Sequence, residues 1–524
     1  MLAILDTAVV SGLRGELVRV EVDVAPGLPA CHIVGLPDAA LSEARERVRS
    51  AIRNAGFAYP LSRITVNLAP AERRKHGAAY DVAIATGILL ASAELRASGG
   101  PWALLGELSL DGSVLPVPGV LPMVATLQAA GHHRVCVPRA NVDEARLVAG
   151  MEVVSADGLD DVARLVAGPA GRKAARARRR STIRVASEAD HSGASSVTAP
   201  PSPPEPPTDL ADMRGQREAR WALEVALAGR HNLLLVGPPG AGKTMLARAT
   251  PGLLPPLDGA EIREVTVIRS VAGTELLAAD RMARPFHTPH HTTSYAAMVG
   301  GGPRLRPGLV TQAHLGVLFL DELAEFDRDV LDSLRQPLED GTVEIARAHG
   351  SVRYPARVQL IAAMNPCRCG WHGDPERTCR CPAGDPERYR RRVSGPLLDR
   401  IDLQVVMPRL EPDRLVDDAA PESSTQVARR IRAAWQLAAL RNDGYPNGAL
   451  GPAALLRACA LDLRARATLM DVATRAELTA RSVHRLLRVA RTIADLDERP
   501  SVQARDVLAA ASLRQRPLDA SLPP

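Results

Sequence analysis

The tightest constraint on this chain lies between residues 232 and 244. Asn232-Leu-Leu-Leu-Val236 is an unbroken apolar run of strand length, and Gly237-Pro238-Pro239-Gly240-Ala241-Gly242-Lys243-Thr244 follows it at once. This is the pattern GxxxxGKT in the strand–loop–helix setting it requires. The glycines let backbone N–H groups approach an anion, and the N-terminus of the following helix adds positive potential. Gly237 to Thr244 are therefore expected to cradle the phosphates of ATP. Lys243 is expected at the β- and γ-phosphates and the Thr244 hydroxyl on Mg²⁺. The helix–strand–loop–helix order from Leu210 predicts an α/β nucleotide-binding core.

Further along, Gly316-Val-Leu-Phe-Leu320 is a second buried-strand run, and it ends in Asp321-Glu322. Asp321 is placed to hold Mg²⁺ through water. Glu322 is the natural general base, because a carboxylate beside the γ-phosphate can accept the proton of the attacking water. A third strand is expected at Val358-Gln-Leu-Ile-Ala-Ala-Met364 and ends in Asn365, whose amide would orient that water and sense the γ-phosphate. Ser394-Gly-Pro-Leu-Leu-Asp-Arg400-Ile-Asp402 puts an arginine in a loop before another strand. It is a candidate arginine finger for a neighbouring subunit's ATP. Arg481 opens a helix predicted over 482–496, from which it would reach the phosphates out of a C-terminal bundle.

With 524 residues, and about 150 residues per domain, the chain predicts roughly three domains. Residues 1–167 read as α+β. Val18, Val20, Val22 and Val24 alternate with charged residues as in a strand, and Leu41, Ala44, Val48, Ile52 and Ala55 recur at helical spacing. Strands are predicted at 64–68, 102–110 and 134–138, and a helix at 81–95. Residues 168–208, a basic run followed by Ser/Ala and Pro-rich stretches, predict a flexible linker. Residues 209–410 form the α/β core, and 411–524, rich in Ala, Leu and Arg, a helical C-terminal domain.

Several classes are excluded. No apolar run reaches the ~18 residues of a membrane helix, and the first residues carry Asp6 without a basic leader, so a secretory signal is not expected. Seven cysteines, an odd number, argue against a disulfide scaffold and for a cytoplasmic location. Of 65 basic residues only Lys75, Lys173 and Lys243 are lysines, which reads as the composition of a GC-rich genome. Aromatics make up 3%, too few for a platform that stacks single-stranded bases on rings.

Four of the cysteines form Cys367-Arg-Cys369 and Cys379-Arg-Cys381, among glycines and prolines that let the loop fold back. Four thiolates suffice for a structural Zn²⁺, with His372 a spare ligand; the alternative is an insertion of free thiols. Cys31, Cys136 and Cys459 sit in apolar contexts as core residues. His290 and His291 are expected to be loop hydrogen-bonders.

In this order the elements resemble an AAA+ ATPase of the branch that holds magnesium chelatase and the MCM helicases. Leu397-Leu-Asp-Arg400-Ile-Asp-Leu403 resembles its finger motif. Residues 284–310 resemble its helix-2 insert, and Glu344-Ile-Ala-Arg347-Ala-His349-Gly350-Ser-Val-Arg353 its hairpin before sensor 1. The resemblance implies a homohexameric ring, since the finger must act in trans, with hairpin and insert facing a central pore. Arg304, Arg306, Arg347 and Arg353 would then neutralise DNA phosphates. Gly106-Glu-Leu-Ser-Leu110-Asp-Gly112-Ser-Val-Leu-Pro116-Val-Pro-Gly119 resembles the Lon-type (S5-type) peptidase fold. Ala79 stands where such a peptidase carries its serine and Leu121 where it carries its lysine, while Lys75 is not the base; neither dyad position can do the chemistry. A Lon-like front domain, this AAA+ core and a helical lid together resemble the YifB/ComM family. That resemblance implies an ATP-driven motor on branched or single-stranded DNA, a helicase or branch-migration factor in recombination or natural transformation. The alternatives are a metal-inserting subunit, as in magnesium chelatase, and a protein-remodelling ATPase.

Overall fold

The computed structural model describes residues 1–35, 39–70, 77–98, 100–178, 208–274, 281–302, 305–347, 350–409 and 421–514. Lys75, Arg304 and residues 179–207 of the expected linker lie outside them. The chain divides into two compact units. One holds Met1–Val197 with Arg263–Ala278 and Gly302–Pro307; the other holds Thr198–Ile262, Ala279–Gly301 and Gly308–Pro524. No helix among the described residues is long and apolar enough to cross a membrane.

In the first unit the valine alternation becomes the strand Arg14–Ala25, with Val18, Val20 and Val22 buried on one face. A four-stranded sheet runs in the order Leu2–Ser11, Arg14–Ala25, Arg63–Ala69, Ala30–Val34. Its last pair is parallel, and the helix Ala39–Asn54 makes the crossover that parallel pairing demands. The helix Asp81–Ala91 is apolar all round and buried almost throughout. Gly87 permits this, because a Cβ there would lie 2.6 Å from Val22 Cγ2 on the sheet. At its start, burial pushes the Asp81 carboxyl up to about 6, against the opposing pull of Arg47, whose Nε donates to it at 2.9 Å.

The single strand expected over 102–110 is instead two short strands, Ala103–Leu104 and Glu107–Leu108, in different sheets. Gly106 between them adopts φ 149°, a turn that a side-chain-bearing residue rarely makes. Helix Leu159–Arg178 is likewise interrupted at Gly168 (φ 61°, ψ −163°).

The second unit is built on a five-stranded parallel sheet in the order Phe286–His287, Val317–Leu320, Gln359–Met364, Leu233–Val236, Leu403–Val406. Every residue of the three central strands is buried, which is why they are apolar apart from Gln359, whose amide donates to the Ala226 and His231 carbonyls. The glycine-loop strand Leu233–Val236 lies between two strands that come later in sequence. Such a strand sits where the sheet order reverses, and ligands of open α/β sheets bind beyond the carboxyl ends at that point. The hairpin Thr342–Arg347/Gly350–Pro355 pairs antiparallel, from Thr342 with Pro355 to Arg347 with Gly350.

Among the described residues, five α-helices follow, Ser424–Arg441, Pro452–Cys459, Leu463–Arg475, Ala480–Leu496 and Ala504–Ser512. Ser423 and Gln426 form a capping box at the start of the first. Ala480–Leu496 is the most enclosed, and its Leu486, Leu487, Ala490 and Ala494 join one apolar cluster with Leu233, Leu235 and Ile361 of the sheet. The same helix buries Arg491 and Asp495. The Asp495 carboxylate accepts from Arg441 at 2.7 Å, from Arg491 at 2.9 Å and from Asn447 at 2.8 Å, so the buried charge is fully partnered.

Candidate nucleotide site

Gly237 leaves the end of its strand and packs against Met407, where a Cβ would fall 2.3 Å from the Met407 carbonyl oxygen. The loop then turns through Gly240 (φ 80°) and Gly242 (φ 89°) into the helix Lys243–Arg248. Gln216 fixes the loop from behind, donating from Nε2 to the Ala241 carbonyl at 3.2 Å and the Pro408 carbonyl at 2.7 Å. Lys243 is 9% exposed. Its ammonium folds over the loop, donating to the carbonyls of Gly237 (2.7 Å) and Pro238 (2.9 Å) and to Asn365 Oδ1 (3.0 Å). Burial lowers its pKa to about 8, while Asp321 and Glu322 pull the other way.

Asn365 follows directly on Gln359–Met364, the strand beside the glycine-loop strand, so the sheet itself brings the two together. The next strand over, Val317–Leu320, ends in Asp321, whose Oδ2 accepts from the Thr244 hydroxyl at 2.6 Å. Thr244 and Asp321 thus form a ready oxygen pair for a hard divalent cation. Asp321 Oδ1 also accepts from the Glu322 N–H at 2.9 Å. Glu322 lies in the left-handed region (φ 52°), a conformation that costs a non-glycine residue energy and is found at functional positions. Its half-exposed carboxylate faces His291, with Nδ1 at 3.5 Å.

His291 was not identifiable from the sequence as a site residue. His290 does bond within its loop, to Thr292 at 2.9 Å. His291 is carried to Glu322 because the strand Phe286–His287 lies next to Val317–Leu320, and no local sequence signal reports that adjacency.

Arg400 follows the short helix Gly395–Leu398 and precedes the strand Leu403–Val406. Its guanidinium donates to the carbonyls of Arg335 (3.0 Å) and Pro396 (2.6 Å) and to the Glu339 carboxylate. Arg481 donates to the other oxygen of Glu339 at 2.7 Å. One carboxylate thus joins both arginines. Partial burial works against its charge, yet Arg400 and Arg481 hold it below its ordinary range. The structure therefore places Arg481 beside Arg400, not among the partners of Lys243. Glu339 is a second residue that motif reading missed, since it sits in the short helix Arg335–Asp340 outside every motif.

The four cysteines of the 367–381 loop converge. Their sulfurs lie within 4.8 Å of one another, with Cys367–Cys369 at 3.4 Å, Cys369–Cys379 at 3.6 Å and Cys367–Cys379 at 3.7 Å.

Sequence models of magnesium chelatase match the chain in three stretches: "subunit ChlI of Mg-chelatase" over 20–141, "magnesium chelatase, subunit ChlI" over 209–415 and its C-terminal part over 421–514. An uncharacterized protein of Mycobacterium tuberculosis is 44% identical over 97% of both chains. YifB of Escherichia coli is 39% identical over 98% of this chain and 97% of its own. Competence protein ComM of Haemophilus influenzae is 39% identical over 94% of each. The chain belongs to the YifB/ComM family of magnesium-chelatase-like AAA+ proteins.

Ala79 and Leu121 are both buried in one apolar cluster with Val120 and Val124, and neither offers a nucleophile or a base. Of the arginines expected on DNA, Arg306 is exposed. Arg353, on the hairpin, donates from Nε and Nη2 to the Thr342 hydroxyl at 3.2 and 3.1 Å. Arg347 ends the hairpin's first strand.

Proposed function

We propose that this chain is an ATP-hydrolysing ring motor that works on DNA. The observation that carries the reading is the division of the catalytic groups. Lys243, Thr244, Asp321, Glu322 and Asn365 converge at the carboxyl edge of one sheet, whereas Arg400 and Arg481 are tied together elsewhere on Glu339. A pocket split in this way is completed by a neighbouring copy, which is the reason for a homohexamer.

The chemistry follows from the positions. The γ-phosphate takes Lys243 from the loop carbonyls and Asn365. Thr244 and Asp321 would hold Mg²⁺, which neutralises phosphate charge when bound. Glu322 accepts the proton of the attacking water, and Asn365 orients that water. Arg400 and Arg481 of the adjoining subunit neutralise charge that builds on the phosphoryl oxygens in the transition state. The DNA assignment is supported by the hairpin and its Arg353, by exposed Arg306, and by the relative named for competence; branched or single-stranded DNA, with helicase or branch-migration activity, is the substrate class. The front domain has no peptidase activity, for want of the two side chains. The four converging thiols are a site for one structural Zn²⁺.

A second reading, a subunit that drives metal insertion into a porphyrin, is favoured only by the description of the matching family models. ATPase activity across branched, single-stranded and duplex DNA separates the two. DNA stimulation is expected for the wild type, and no stimulation by any DNA at low salt contradicts the motor reading. In the same assay Lys243→Ala abolishes turnover, and Glu322→Gln retains ATP with turnover down by roughly a hundredfold or more. Wild-type turnover in either variant contradicts the site.

A further inference from the structure

We infer that the metal knot of Cys367, Cys369, Cys379 and Cys381 braces the phosphate loop and Asn365, so that ATP turnover depends on a bound Zn²⁺. This rests on the reading of Gly237–Thr244 as the ATP loop.

The geometry suits zinc. With Zn–S near 2.3 Å, the edges of a tetrahedral four-thiolate site are about 3.8 Å, and the sulfur separations of 3.4, 3.6 and 3.7 Å lie close to that. A disulfide would bring two of them to about 2.05 Å. Thiolates select a soft or borderline ion over the Mg²⁺ of the neighbouring oxygen pair. Cys367 is fully buried, and no helix or strand occurs between Met364 and Asp385, so the loop depends on cross-links for its shape.

That loop is tied to the nucleotide site by a chain link, a packing contact and an indirect ion pair. Cys367 is two residues beyond Asn365, the partner of Lys243. Gly370 (φ 85°) seats the ring of Pro239 in the phosphate loop, and a Cβ on it would lie 2.3 Å from Pro239 Cδ. Glu376 pairs with Arg409 at 3.2 Å, next to Pro408, whose carbonyl Gln216 binds together with that of Ala241. Arg377 stacks over Trp371 at 4.4 Å and closes the loop on itself. A metal at the base of this loop holds Asn365 and Pro239 at a fixed separation, and pre-organisation of this kind acts on the transition state more than on ground-state binding.

The test uses the full-length protein. The wild type should carry about one zinc per chain, and Co²⁺ put in its place should show the thiolate charge-transfer absorption of a tetrahedral site. Cys379→Ser with Cys381→Ser should lose the metal, keep its far-UV spectrum and lower kcat roughly tenfold or more, with KM changed far less. Gly370→Ala should keep the metal and also lower kcat. If the double variant unfolds, stripping zinc from the wild type with a mercurial and restoring it decides: turnover must fall and return. A wild type that hydrolyses ATP without zinc and without taking up Co²⁺ overturns the knot. Full turnover in a folded, metal-free chain overturns the coupling. A zinc-bearing wild type with no ATPase overturns the nucleotide reading instead, and the coupling with it.

Discussion

Lys243 is buried and bonded to two carbonyls and an amide, and burial lowers its pKa to about 8 from the usual 10.5. Triphosphate favours the charged form and must raise that value again. ATP binding should therefore take up protons through this group as pH rises towards and past about 8, and far less at lower pH. Titration calorimetry in buffers of different ionisation enthalpy should show uptake growing from about pH 7 to 8.5; uptake that does not change over that range contradicts the assignment. Glu339 carries a second residue-scale prediction. Glu339→Gln removes the anion shared by Arg400 and Arg481 and leaves each subunit's own loop intact. Turnover should fall roughly tenfold or more while ATP affinity holds, and a loss of affinity equal to the loss of turnover would refute this role. The residues legible in the sequence were those set in local patterns. Lys243 and Thr244 are read from the glycine loop, Asp321 and Glu322 from a strand end. His291, Glu339 and Gln216 act across the sheet or between segments far apart in the chain, so nothing near them in sequence announces the contact.

At the scale of elements, apolar runs revealed the central strands because both faces of a parallel sheet are covered. Their spatial order is decided by crossovers that leave no such mark. The one misread strand, over 102–110, failed at Gly106, where a positive φ divides an apolar stretch between two sheets. The helix beginning near Arg481 was legible from its period, but the polar residues inside it were not legible as a network. Arg491 and Asp495 lie on the buried face of Ala480–Leu496, and the partners Arg441 and Asn447 come from other segments. Removing one member of such a network leaves uncompensated buried charge, which costs about 3–5 kcal/mol. Asp495→Ala should lower the denaturation midpoint of the second unit accordingly. A midpoint within experimental error of the wild type would show that the network contributes nothing.

At the scale of the molecule, the decisive claim is that each ATP is cleaved between two copies of the chain. The fold class was readable in the sequence, since one phosphate loop implies the parallel sheet around it. The link of Arg400 to Arg481 through Glu339 was not, because it depends on where a distant helix packs. The most direct measurement mixes two inactive proteins. Lys243→Ala lacks the loop lysine but offers intact arginines; Arg400→Ala has an intact loop but lacks the finger. In randomly mixed rings at equal amounts, half times half, or about a quarter of the interfaces, pair an intact loop with an intact finger. The account predicts that ATPase activity, absent from either protein alone, appears on mixing at up to about that share of the wild-type rate. No activity in mixed rings whose subunits demonstrably exchange, or wild-type turnover by Arg400→Ala alone, would contradict it.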